Sequence, residues 1–167
     1  MDENKKIALD IINNSNYLTL ATSDKDMPWA SPIFYCVDKE YNFYFYSDLN
    51  SRHAENILKN SKCSLAIFNS EDPPDIVNGA QIEGSATILK DGELPRVVAL
   101  YYKKRFQDKN EREKNDISFE KFLTKAFLKY GGRIFKQRFF KVVSEKSYIL
   151  DPKMLKVDVR VEVNLKD

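Results

Sequence analysis

Histidine is nearly absent from this 167-residue chain, which carries one, His53. A multi-histidine metal site cannot be built from it, and a Ser-His-Asp triad would have to use that single ring. Cysteine is almost as scarce. Cys36 and Cys63 each lie inside a β-like apolar run rather than in a CxxC pair, which reads as two buried free thiols and not as a zinc site or redox couple. Charge of one sign is lacking too: 27 Lys+Arg stand against 25 Asp+Glu, a net +2. The whole-chain field therefore gives no reason to expect nucleic acid, and any bound anion must be held locally. No apolar run approaches the length of a membrane span, so no membrane partner is expected and a cytoplasmic location follows by default. Repeats, low-complexity tracts and linkers are missing, and Glu71, Asp72, Asp75 and Glu83 are too scattered to form a catalytic carboxylate pair.

What the chain has in quantity is aromatic surface, with nine Tyr and eleven Phe. Its length suits a single domain, residues 1–167, that buries roughly 70% of its unfolded surface without disulfide or metal. Ile7, Ala8, Ile11 and Ile12 recur at helical spacing, so 3–13 reads as an amphipathic helix that lids a barrel end. The period then changes to two. Tyr17–Thr22, Trp29–Val37 and Tyr41–Ser47 read as a meander with turns at Ser23–Met27 and Asp38–Glu40. Pro28 and Pro32 in its second strand belong at an edge or non-ladder position, leaving backbone open to a ligand. A short helix, Arg52–Lys59, and a strand, Cys63–Phe68, follow.

Beyond Pro73-Pro74, Ile76–Leu89 reads as a long β segment bent or bulged at Gly79 and Gly84. A helix is expected over 93–106, a solvated charged loop over 107–116, and another helix from Ser118 to Tyr130 stopped by Gly131-Gly132; that pair, with Arg133, is a cap rather than a phosphate loop. Arg138–Val143, Ser147–Leu150 and Leu155–Leu165 read as strands, the last with Leu155, Val157, Val159, Val161, Val163 and Leu165 on one face. The fold class is mainly β (α+β): an antiparallel split β-barrel with an N-terminal helix, a short helix after the third strand and a helical insertion at about 93–132.

The densest polar group beside ordered elements is Tyr46-Ser47-Asp48-Leu49-Asn50-Ser51-Arg52-His53, a strand end, a tight loop and the first turn of a helix. Free N–H groups, the helix dipole, the Ser47 and Ser51 hydroxyls and the Arg52 fork together suit a phosphate. The plainer reading has Ser51, or Asn50, capping the helix while Arg52 and His53 are solvated.

Phe45-Tyr-Ser-Asp-Leu-Asn-Ser-Arg-His-Ala-Glu-Asn-Ile57, followed by Lys59-Asn-Ser-Lys-Cys-Ser-Leu-Ala-Ile67, resembles the FMN-phosphate segment of the pyridoxamine 5′-phosphate oxidase family. Ser47 stands where the family has Thr, Arg52 matches its phosphate-binding Arg, and His53 replaces a Lys, keeping a donor whose charge depends on pH. Pro28-Trp-Ala-Ser-Pro-Ile-Phe-Tyr35 resembles the strand that lines the isoalloxazine ring. Gln81-Ile-Glu-Gly-Ser-Ala-Thr resembles a strand whose Gln contacts flavin, with the glycine spacing slipped by one residue. The resemblance covers about residues 10–90 well and 93–132 hardly at all.

It implies an FMN-binding oxidoreductase acting on a small-molecule substrate or electron donor, as a homodimer with flavin at the subunit interface. Ser47, Ser51, Arg52 and His53 would hold the phosphate; Trp29, Ala30, Ser31 and Gln81 would meet the ring and Tyr46 would brace it. Taken alone, a glutamine at 81 in an alternating strand is more often simply outward-facing, and Trp29 and Tyr46 are more often core. No side chain is assigned as catalytic acid or base, since the flavin carries the hydride. The enzyme's Arg-Leu-His and terminal Arg-Leu-x-Pro motifs are missing from the end Asp158-Val-Arg-Val-Glu-Val-Asn-Leu-Lys-Asp167, so activity on pyridoxamine phosphate itself is not expected. The rivals are a non-catalytic flavin or haem carrier, with His53 the sole histidine for an iron, and a deazaflavin in place of FMN.

Overall fold

The computed structural model describes residues 2–71, 78–107, 118, 121, 136–150 and 160–166. The Pro73-Pro74 break, Asp72 and Asp75, the charged loop over 108–116, nearly all of the expected Ser118–Tyr130 helix, the Gly131-Gly132-Arg133 cap and the run Leu155–Val159 lie outside those residues.

Among the described residues seven strands form one antiparallel sheet: β1 (Tyr17–Asp24), β2 (Met27–Val37), β3 (Phe43–Asp48), β4 (Lys62–Phe68), β5 (Gly79–Ile88), β6 (Gln137–Leu150) and β7 (Arg160–Glu162). Their order is β3-β2-β1-β4-β5-β6-β7, and β3 also pairs with β6 from Phe43↔Val142 to Asp48↔Gln137. That last ladder closes the first six strands into a barrel, so only β7 hangs outside. Closure removes most of the edge backbone that would otherwise need partners. Alternation along each strand fills the interior with Leu18, Leu20, Ile33, Tyr35, Phe43, Phe45, Leu65, Ile82 and Phe140, each under a tenth exposed. Phe45 and Phe140 stack at 5.1 Å across the β3–β6 seam. Burying each such side chain contributes about 1.5–3 kcal/mol, so the seam holds by packing as well as by its ladder.

Two helices plug opposite ends. Helix α1 (Glu3–Asn14) buries Ala8, Ile11 and Ile12, and the Tyr35 hydroxyl donates to the Ile12 carbonyl at 2.6 Å near the start of β1. Helix α2 (Arg52–Lys59) buries His53, Ala54, Asn56 and Ile57, and Asn56 Nδ2 donates to Thr22 Oγ1 at 3.1 Å near the end of β1. Helix α3 (Leu94–Arg105), led in by a 3-10 turn at Asp91–Glu93, lies on the outside of the barrel. There Val97 and Val98 pack with Cys36, Tyr44, Leu89 and Phe139. Burial pushes the Cys36 and Cys63 thiols up to about 12, so both stay protonated.

Several boundaries differ from the sequence expectation. The turn before β2 is only Lys25-Asp26, Lys25 taking a φ of 54°, because Ser23↔Pro28 and Asp24↔Met27 still pair. The third strand begins at Phe43 instead of Tyr41, since Asp38 Oδ1 accepts from the N–H of Glu40 and of Asn42 and holds the loop closed, with Tyr41 at φ 54°. Arg138–Val143 and Ser147–Leu150 are one continuous strand. Opposite Glu83/Gly84 the register jumps from Lys146 to Ser144, so Glu145 is the extra residue of a β-bulge rather than a turn. Its carboxylate reaches Lys62 at 3.0 Å and accepts from Ser85 at 2.5 Å. Gly84 is needed there, because a Cβ would sit 2.5 Å from the Val143 carbonyl oxygen. Among the described residues of the final alternating segment, Arg160–Glu162 are strand, and Val163 and Leu165 beyond them are buried in the barrel core, with Val163 N–H donating to Ser147 O at 2.8 Å.

Candidate functional site

The strand alternation that fills the barrel also delivers polar groups to the end plugged by α2. Phe43, Phe45 and Ser47 share the inward face of β3, and Ser31, Ile33 and Tyr35 share that of β2. On α2 the buried residues 53, 54, 56 and 57 form one helical face, which turns His53 inward and leaves Arg52 and Glu55 outside. The three elements therefore meet at the imidazole of His53, 9% exposed.

Its Nδ1 lies 3.2 Å from Ser31 Oγ; its Nε2 lies 2.6 Å from Ser47 Oγ and 3.0 Å from Ser51 Oγ. Ser47 and Ser51 are 3.2 Å apart, and the Ser51 hydroxyl donates to the Asp48 carbonyl at 2.7 Å. Phe45 meets the ring edge-on at 6.1 Å. Burial holds this imidazole below its ordinary value of 6.5, which favours the neutral ring.

Ser51 occupies the N-cap of α2 but makes no side-chain cap bond, and its hydroxyl donates to the Asp48 carbonyl. The first-turn amides of α2 are thus not taken up by their cap, and the positive end of the helix dipole faces the corner lined by Ser47. Beside it the exposed Arg52 guanidinium stacks 4.4 Å from the centre of the Trp29 ring, which is itself 40% exposed. Among the described residues no carboxylate pairs with Arg52.

Strand β2 contributes an open edge. Tyr35 N–H points to Asn16 O across β1, so odd residues of β2 face β1 and even ones, Pro28, Ala30 and Pro32 among them, face the other way. Strand β3 covers that side only from Tyr35 to Val37. Both prolines therefore sit where no described strand asks for an N–H donor.

Trp29, Ser31, Ser47, Ser51, Arg52 and His53 thus come together. Tyr46 and Gln81 do not join them. Tyr46 points outward toward α3, its hydroxyl donating to Gln137 Oε1 and its ring packing on Phe139. Gln81 lies on the outer face of β5, where Arg160 donates to its side-chain oxygen. Ala30 is exposed on the same outer side of β2. Around Gln81 a shallow depression of about 420 Å³ is bordered by small or polar side chains, among them Thr19, Ala21, Ser64, Ala66 and Tyr148. Asn56 was not anticipated; an amide three residues beyond His53 on an apolar helix face was the available signal.

This constellation fits a phosphate ester such as that of FMN: a hydroxyl and unclaimed helix amides line one corner, and next to them on the helix Arg52, with no carboxylate partner among the described residues, stacks on an exposed indole.

Comparison with known proteins agrees with the barrel fold. A family model described as pyridoxamine 5′-phosphate oxidase matches residues 5–130. A UPF0306 protein of Pasteurella multocida is 27% identical over 97 residues, 58% of this chain; the match spans 65% of that relative's own length. A haem-binding protein of Mycobacterium smegmatis superposes with a TM-score of 0.68 at 16% identity, over 98% of this chain and 58% of its own. A candidate pyridoxamine 5′-phosphate oxidase of Listeria innocua gives 0.60 at 18%, over 90% and 99%. At these identities the two structures establish the fold alone. Among the described residues no helix is long and apolar enough to cross a membrane, which says nothing of a β-barrel in one.

Proposed function

The chain belongs to the pyridoxamine 5′-phosphate oxidase family, and from that premise we propose that it is an FMN-binding oxidoreductase which does not oxidise pyridoxamine phosphate. The observation that carries the reading is Arg52, with no carboxylate partner among the described residues, at the start of a helix whose N-cap side chain makes no cap bond and whose N-cap hydroxyl lies 3.2 Å from Ser47 Oγ. An ester phosphate brings the missing negative charge, with Ser47, Ser51, Arg52 and His53 forming its corner. Trp29, Ala30 and Ser31 on the open stretch of β2 would border the ring. When bound, FMN supplies hydride exchange with a small-molecule donor or substrate. The protein's own part is to hold the phosphate and exclude water from one face of the ring.

Gln81 faces outward with Thr19, Ala66 and Tyr148, so its contact with flavin requires a second copy of the chain laid on that face, as the expected homodimer would provide. Tyr46 braces β3 against β6 through Gln137 and Phe139 and acts on the ring only through the strand that carries it.

The test is FMN titration of the purified protein, followed by absorbance and gel filtration. Yellow colour travelling with a dimer supports the reading; no binding at excess FMN overturns it. Bleaching of bound flavin by NADH or NADPH, with recovery in air, separates an oxidoreductase from a flavin carrier. Rapid formation of pyridoxal phosphate would refute the substrate exclusion. A haem carrier is the second reading, since one similar structure is a haem-binding protein. Both nitrogens of His53 are already engaged by serines, so iron ligation there would break the network. A Soret band lost in His53→Ala would reinstate it.

A further inference from the structure

We propose that His53 is a positioning residue: Ser31 and the Asp48 carbonyl fix its proton on Nε2, and that N–H turns the Ser47 hydroxyl outward as donor to the FMN phosphate. The inference rests on the FMN reading above and follows from counting protons in the network.

Ser51 has one hydroxyl proton. An oxygen 2.7 Å from a carbonyl oxygen needs a proton between them, so that proton lies on the line to Asp48 O. Ser51 Oγ can then only accept from its other neighbours. Its contact with His53 Nε2, 3.0 Å away, is attractive when Nε2 carries the hydrogen and sets lone pair against lone pair when it does not. With the hydrogen on Nε2, neutral imidazole leaves Nδ1 as acceptor, and Ser31 Oγ, 3.2 Å away and only 7% exposed, supplies the donor. Ser47 Oγ, 2.6 Å from Nε2, accepts as well. Its own proton is left with Ser51 Oγ, 3.2 Å away, as its acceptor within the group, a long contact that a phosphate oxygen can replace.

The opposite tautomer has the opposite consequence. With the proton on Nδ1, Ser47 would donate inward to Nε2 and present only lone pairs to an anion. Half-buried Ser47 thus changes from phosphate donor to phosphate repeller on the position of one proton two bonds deeper in the protein. A neutral ring sets that orientation without placing a charge in a position sealed from water.

The chain's single histidine makes the test free of assignment ambiguity. In ¹⁵N-labelled full-length protein at neutral pH, long-range ¹H–¹⁵N correlations are expected to show a protonated Nε2 and an unprotonated Nδ1. Ser47→Ala should keep that pattern and weaken FMN binding by roughly ten- to a hundredfold, the loss of one charge-assisted hydrogen bond. Ser31→Ala should shift the imidazole toward the Nδ1–H form and weaken FMN by about tenfold. Should Ser31→Ala fail to fold, the wild-type spectrum and Ser47→Ala still decide the matter. Tight FMN binding by a wild type whose proton is on Nδ1, or by Ser47→Ala with unchanged affinity, overturns the positioning role and leaves the FMN reading standing. A wild type with the expected tautomer that binds no FMN overturns the FMN reading and, with it, this assignment of the Ser47 proton.

Discussion

Two polar clusters hang from the two faces of β3, and they are built on opposite principles. On the outer face Tyr44 donates to Asp38 at 2.7 Å and accepts from Arg96 at 2.8 Å, Arg96 reaches Asp38 at 3.1 Å, and Lys141 pairs with Glu93 at 3.0 Å. Burial pushes the Asp38 carboxyl up, but the hydrogen bonds from Tyr44, Asn42 and Arg96 outweigh it and hold the group below its ordinary value. Every charge there has its counter-charge, and the product is a clamp that fixes α3 to the barrel. On the inner face Ser31, Ser47, Ser51 and His53 form a neutral network, while Arg52 next to it has no carboxylate among the described residues. A saturated cluster holds structure; an unanswered charge beside oriented hydroxyls invites a ligand.

Substitutions on the two faces should therefore separate stability from binding. Asp38→Ala strands the buried Tyr44 hydroxyl and frees the loop amides of Glu40 and Asn42. It should cost about 2–3 kcal/mol in urea unfolding, discounted for the half-exposed Arg96, with FMN affinity unchanged. A loss of FMN binding on that scale would erase the distinction between the faces. Arg52→Ala is the mirror experiment: FMN should weaken by about 1–2 kcal/mol while unfolding moves by no more than about 0.5 kcal/mol. Because Trp29 is the only tryptophan and lies under Arg52, its emission should fall on FMN binding and report that affinity directly. Unquenched emission in an FMN-saturated protein would move the flavin away from β2.

The same contrast explains what could be read from residues alone. The α2 boundaries, the meander and the free edge at Pro28 and Pro32 were legible because each rests on local chemistry: a helical face, alternation, a missing donor. The convergence of Ser31, Ser47 and His53 was only half legible. Alternation assigns Ser47 to the Phe45 side, but nothing local says that His53 turns under α2 rather than out to solvent beside Arg52. That follows from Ala54 and Ile57 being drawn into the core, a tertiary cause. Tyr46 and Gln81 illustrate the reverse limit. Both neighbour the site in sequence pattern, yet strand parity puts Tyr46 under α3 and Gln81 outside the barrel. The bulge at Glu145 was hidden because one inserted residue looks like a turn until the partner strand shows that pairing resumes at Lys146.

The smallest expected effect is also the one specific to the inner face, and it appears as a function of pH. His53 has a folded-state value below its ordinary 6.5 because burial disfavours the charged ring. The unfolded chain therefore binds this proton more readily than the folded one as pH falls through that range. The stability associated with a neutral His53 is fully present above about pH 6.5 and is lost progressively below it, down to the folded-state value. Asp38 has the same sign, but its loss begins only near the ordinary carboxyl value of 3.8, so the two faces titrate in separate windows. With no other imidazole in the chain, a slope in urea midpoint between pH 6.5 and the carboxylate range belongs to His53, and His53→Gln should flatten it. A slope that persists in that variant would mean the ring is not buried against Ser31 and Ser47, and would dissolve the difference between the clusters from the inner side.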